Sequence, residues 1–118
     1  MERTKRKVKN TEFMKDFRRL PECEELVMAI VWSAPEEADM ETVRRIANGT
    51  HGRAWKPQTV STFLARLREK GFLSMHRKGR YQYYVPAIAE TDYRNAVVEG
   101  IVKRLYGGDR TELKKDLE

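Results

Sequence analysis

The side chains whose types and spacing point most clearly to a chemistry lie between positions 54 and 80. The stretch from Ala54 to Gly71 reads Ala-Trp-Lys-Pro-Gln-Thr-Val-Ser-Thr-Phe-Leu-Ala-Arg-Leu-Arg-Glu-Lys-Gly. Gln58, Ser61, Thr62 and Ala65 share one face at helical spacing; they are small or can form hydrogen bonds, and none is acidic. Such a face suits base edges in a DNA major groove. The same pattern also describes the solvated side of an ordinary amphipathic helix. Covalent chemistry has less to work with. Glu22, Glu24 and Glu25 cluster, but acids in a first turn are a standard helix start signal that favours the positive end of the helix dipole. His51 has no second ligand at metal spacing, and Cys23 is the sole cysteine, so neither an internal disulfide nor a cysteine metal cluster can form. With no Ser/His/Asp, metal or nucleotide-binding constellation, the reading is of a non-enzyme that needs no metal and no cofactor.

The placement of charge separates the two readings of the helix. The net charge is +6. Residues 1–20 hold eight basic and three acidic side chains, residues 56–80 hold seven basic (Lys56, Arg66, Arg68, Lys70, Arg77, Lys78, Arg80) and one acidic, and the remainder is net negative. All the excess positive charge therefore sits in an amino-terminal arm and in the 56–80 segment, the footprint expected of phosphate binding. The start Met-Glu-Arg-Thr-Lys-Arg-Lys lacks the apolar core of a signal peptide, and no apolar run is long enough for a membrane helix. A cytoplasmic protein with no membrane partner is expected.

The elements that must position these residues follow from periodicity. Residues 1–10 are polar, basic and aperiodic, and Phe13, Met14 and Phe17 allow either a short helix or a collapsed linker up to residue 20. A helix is predicted from Pro21 to about Ser33, with Leu26, Val27, Ile30 and Val31 inward. Asp39 is placed to cap a second helix that stops at Asn48-Gly49. Trp55 then leads into the third, which starts with Lys56 as N-cap and Pro57 at the first helical position, buries Val60, Phe63, Leu64 and Leu67, and stops at Gly71. Leu73 and Met75 alternate with polar residues, Arg77-Lys78-Gly79-Arg80 turns the chain, and Tyr81 to Val85 returns, with tyrosines suited to stacking on bases or, as expected here, to packing against the third helix. A last helix is expected from Ala89 to Tyr106, terminated by Gly107-Gly108, with Tyr93, Val97, Ile101 and Leu105 as an apolar stripe left for a second copy of the chain. The mostly charged tail after Gly108 is expected to fray.

The order helix, helix, helix, hairpin is that of a winged helix-turn-helix. The expected class is mainly α with a small β-hairpin: a basic arm over 1–19, a winged-helix DNA-binding domain over 20–87 and a C-terminal dimerisation helix region over 88–118. From about Leu20 to Gly108 the chain resembles the penicillinase-repressor family of bacterial regulators, the BlaI/MecI type. The resemblance is carried by Leu20-Pro21-Glu22-Cys23-Glu24, Val27-Met28, Trp32, Thr59-Val60, Thr62, Arg66-Leu67, Lys70-Gly71-Phe72, Gly79-Arg80, Tyr81-Gln82-Tyr83-Tyr84 and Leu105-Tyr106-Gly107-Gly108.

The resemblance implies a homodimeric repressor on a two-fold operator in double-stranded promoter DNA, answering to an upstream sensor that the sequence does not name. Family members usually continue into a longer apolar helix that carries a protease-cut site, and copper-responsive relatives carry carboxy-terminal cysteine pairs. Asp109 to Glu118 is short and charged and has no cysteine, so neither release route is expected through it. In this reading Gln58, Ser61 and Thr62 meet base edges, with Gln58 suited to adenine. Lys56, Thr59 and Arg66 anchor phosphates beside the groove, and Arg77, Lys78 and Arg80 do so from the wing. The alternative is a winged-helix protein interaction module without specific DNA binding.

Overall fold

The structure is a computed structural model that describes residues 17–34 and 36–118. The arm and most of the segment over 11–20 lie outside these residues; 17–21 carry no regular structure. The described chain divides into two compact units, one spanning Leu20–Glu90, the other containing Thr91–Glu118 and the residues up to Arg19.

In the first unit, α1 spans Glu22–Ser33, α2 Met40–Thr50 and α3 Pro57–Glu69, followed by strands β1 (Leu73–Lys78) and β2 (Tyr81–Pro86). α1 starts behind Pro21 and carries its three first-turn glutamates. Val27, Met28, Ile30 and Val31 from α1, Val43 and Ala47 from α2, and Val60, Leu64 and Leu67 from α3 are all at most 3% exposed and form the shared core. Asp39 caps α2 as expected, its Oδ1 accepting from Thr42 N at 2.8 Å. The helix does not stop at Asn48-Gly49. It continues to Thr50, and the first residue with positive φ is Gly52, at 66°. The reason lies in Asn48, whose side chain accepts from Trp55 N at 2.8 Å and donates to Trp55 O at 3.0 Å. Its amide is bonded to the following loop, not turned back on its own backbone to end a helix.

β1 and β2 pair antiparallel from Leu73↔Pro86 to Lys78↔Tyr81, joined by Gly79-Arg80 with Gly79 at φ 64°, the positive angle that two-residue hairpin turns favour at their first position. Ala38 adds a third line to this hairpin: its N donates to Tyr84 O at 3.2 Å and its O accepts from Tyr84 N at 2.8 Å. β1 packs on α3, while β2 packs on α1. The three tyrosines therefore do not act together as cover for α3. Tyr84 is buried, Tyr83 is half-buried, and Tyr81 is 57% exposed.

The second unit is built on α4 (Glu90–Leu105), which ends at Gly107 and Gly108 with φ 58° and 84°. The tail does not fray but forms α5 (Arg110–Leu117). Asp109 Oδ1 accepts from Thr111 N at 2.9 Å, the Tyr106 hydroxyl donates to Asp116 at 2.8 Å, and Arg110 pairs with Glu99. The sequence shows only two apolar residues in register there, so a local cap and side-chain ties supply what amphipathicity does not. The stripe along α4 is not uniform either. Tyr93 is 3% exposed with its ring 5.7 Å from that of Phe17, Val97 and Ile101 are half-buried, and Leu105 is 74% exposed. Four-residue steps advance about 40° beyond a full turn each, so a line of them winds around the helix from its covered to its open side.

Candidate nucleic-acid interface

α3 is held on three sides. Its inner stripe, Val60, Leu64 and Leu67, has no exposed surface. At its start the Trp55 ring meets Phe63 edge-on at 5.1 Å, and the Arg53 guanidinium lies 5.7 Å from the Trp55 ring centre. At its end Gly71, at φ 84°, turns the chain so that Phe72 N reaches Leu67 O at 2.9 Å and β1 can begin.

The opposite face is open. Gln58, Ser61, Thr62 and Ala65 are all exposed, as is the N-cap Lys56, while Thr59 is half-buried. No acidic residue stands in the first turn of α3. The Thr62 hydroxyl donates to Gln58 O at 3.0 Å. A hydroxyl has one proton, so Thr62 meets an outside group as an acceptor or through its methyl.

The end of α3 carries a feature that the charge pattern does not announce. Glu24 of α1 is 2% exposed; it accepts from Lys70 Nζ at 2.5 Å and lies 3.9 Å from an Arg66 Nη. A buried carboxylate without a cation is costly, so this pairing ties the last turn of α3 to α1. Both cations keep an outer side in solvent, with Lys70 42% and Arg66 57% exposed. The sequence does contain a signal: Glu24, Val27, Met28 and Val31 fall at i, i+3, i+4 and i+7, an acid in core register.

At the wing, Arg77 and Arg80 are exposed and carry no ion pair among the described residues, whereas Lys78 is paired with Glu37, which also accepts from His76 Nε2. The hydrogen bond from Lys78 holds the Glu37 carboxyl below the usual range and raises the Lys78 amine in return, so both stay charged at neutral pH. The structure thus leaves Gln58, Ser61, Thr62 and Arg66 exposed along α3 and Lys56 exposed at its start, sets Thr59 partly inside, and finds Lys78 already engaged. Among the described residues no cluster of three metal-ligating side chains occurs, and no helix is long and apolar enough to cross a membrane.

Three helices with the third exposed, closed by a hairpin and one bridging residue from the α1–α2 connection, define a winged helix-turn-helix. The penicillinase repressor family model matches residues 20–117, and the chain belongs to that family. It is 30% identical over 95 residues to the penicillinase repressor of Bacillus licheniformis, covering 80% of this chain and 72% of that protein. It is 24% identical over 82 residues to the methicillin resistance regulatory protein MecI of Mammaliicoccus sciuri, covering 70% of this chain and 64% of the relative. Among solved structures, monomeric BlaI from Bacillus licheniformis in complex with the blaP half-operator superposes with a TM-score of 0.53 at 33% identity, over 64% of this chain and 89% of that one. The DNA-binding domain of the repressor BlaI gives the same score at 32% identity, over 64% of this chain and 88% of that one.

Proposed function

We propose that this protein is a sequence-specific double-stranded DNA-binding transcriptional repressor that acts as a homodimer on a two-fold operator. The observation that carries the reading is the α3 face: exposed hydrogen-bonding side chains, with no acid in the first turn, on a helix immobilised from behind and flanked by cations. The BlaI relative, similar over the winged-helix part, was solved on a half-operator. Gln58, Ser61 and Thr62 read base edges, Thr62 through its free lone pairs. Lys56 and Arg66 bind phosphates beside the groove, Thr59 supports that contact from its half-buried position, and Arg77, Arg80 and Lys78 bind phosphates from the wing.

The dimer reading places Val97, Ile101 and Leu105 against a second copy, with Tyr93 supporting α4 from the covered side. Leu105 at 74% and Leu117 at 76% exposed are large apolar side chains left open in this unit. Selecting bound duplexes from a random library tests both parts. A motif repeated with two-fold symmetry, its half-sites spaced by about 10 base pairs or a small multiple, is the expected product. Recovery of no bound duplex at all leaves the basic surface to an acidic protein partner.

A further inference from the structure

Glu37 engages, inside the molecule, a cation that the DNA reading needs outside it. It lies in the connection between α1 and α2, next to Ala38, and the two backbone bonds of Ala38 to Tyr84 fix that connection alongside the hairpin. His76 and Lys78 are two apart on β1 and so share one face. The Glu37 carboxylate spans them, one oxygen on Lys78 Nζ and the other on His76 Nε2. Tyr83, the cross-strand partner of His76, lies beside both: its ring is 6.3 Å from the imidazole, and the Lys78 ammonium is 5.6 Å from its centre. The carboxylate is 20% exposed but the Lys78 side chain 63%, so the ammonium is gripped on one side and open on the other. Arg77 and Arg80 have no such partner among the described residues.

A carboxylate that spans two donors offers them what a phosphate would, and the donors cannot fully serve both. We propose that Glu37 is a built-in competitor for DNA phosphate at the wing: contact of Lys78 with the backbone requires exchange of carboxylate for phosphate. Glu37 therefore lowers affinity for every duplex by the same factor, and the ratio between cognate and random sites is left to base reading by α3. The inference rests on the DNA-binding reading above.

The test compares wild type, Glu37→Gln, Glu36→Gln, Lys78→Gln and the Glu37→Gln/Lys78→Gln double variant on a random-sequence duplex at fixed salt. Glu37→Gln is expected to tighten binding about three- to fivefold, the size of one exposed ion pair. Glu36→Gln makes the same formal charge change at the exposed neighbour and is expected to shift binding by less than about twofold. Lys78→Gln should cost more in the Glu37→Gln background than alone. Equal gains from Glu36→Gln and Glu37→Gln, additive effects, or weaker binding by Glu37→Gln with a lower melting temperature each overturn the proposal. A second arm needs no DNA: inorganic pyrophosphate is titrated against wild type and Glu37→Gln while the His76 imidazole resonances are followed. Saturation of Glu37→Gln at lower concentration supports the exchange, and coincident curves refute it. If this arm succeeds while wild type binds no duplex, the DNA reading has failed and the exchange stands.

Discussion

Removing Lys70 should damage the fold more than removing the carboxylate it neutralises. Glu24 is 2% exposed and has Lys70 at 2.5 Å and Arg66 at 3.9 Å, while the Lys70 side chain remains 42% exposed. In Lys70→Met the carboxylate stays buried with one loose cation. Stranding a buried charge costs about 3–5 kcal/mol when nothing else reaches it. Arg66 still reaches Glu24 here and solvent borders the pair, which brings the expected loss to about 1–2 kcal/mol. In Glu24→Met the roles reverse: Lys70 swings into water and an apolar side chain joins Val27 and Met28, so the cost should stay below about 1 kcal/mol. The double variant Glu24→Met/Lys70→Met should recover most of the Lys70→Met loss, because nothing charged is left buried. Urea unfolding at neutral pH reads all three. With a slope of about 2 kcal/mol per molar, Lys70→Met should lower the midpoint by about 0.5–1 M at unchanged slope. A smaller loss for Lys70→Met than for Glu24→Met, or additive losses in the double variant, would refute the reasoning.

Three further outcomes follow from local geometry. Asp39→Ala should cost about 1 kcal/mol, since the carboxylate caps α2 through Thr42. The hydrogen bond from the Thr42 side chain, foremost, holds the Asp39 carboxyl below its ordinary value. Its stabilisation is therefore complete above the unfolded value of about 3.9 and is lost as pH falls through the lower folded value, so wild type and variant should converge in acid unfolding below about pH 4. Gly71→Ala should lower stability by about 1 kcal/mol in thermal melts, because φ 84° opposes a Cβ whatever the space around it. Leu105→Asp should shift sedimentation toward the monomer without changing the melting temperature of dilute protein, since a side chain 74% exposed leaves no cavity behind.

What the sequence made legible was local. Pro57 and Gly71 bound α3 where expected, Asp39 caps α2, and the glycine pair after α4 takes the left-handed conformation. These signals depend on a residue's own backbone preference or on a partner within four positions. Local signals do not reach the end of α2, where Asn48 bonds seven residues ahead to Trp55, or the tail helix, whose ties run from Tyr106 to Asp116 and from Arg110 to Glu99. At the interface, the choice of Gln58, Ser61 and Thr62 needed only helical spacing. The buried state of Glu24 and the capture of Lys78 by Glu37 come from pairs 46 and about 40 positions apart. Net charge counts Lys78 as free, and only the packing of the α1–α2 connection on the hairpin shows that it is engaged.

The central claim, that α3 reads sequence while the wing holds backbone, is tested most directly by the salt dependence of two variants on a selected duplex and on its scrambled counterpart. Gln58→Ala should lose about 1–3 kcal/mol on the selected site and little on the scrambled one, at an unchanged salt slope. Arg80→Ala should weaken both duplexes alike and reduce the slope by about one unit. Equal losses for Gln58→Ala on the two duplexes would contradict the assignment of α3 as the reading helix.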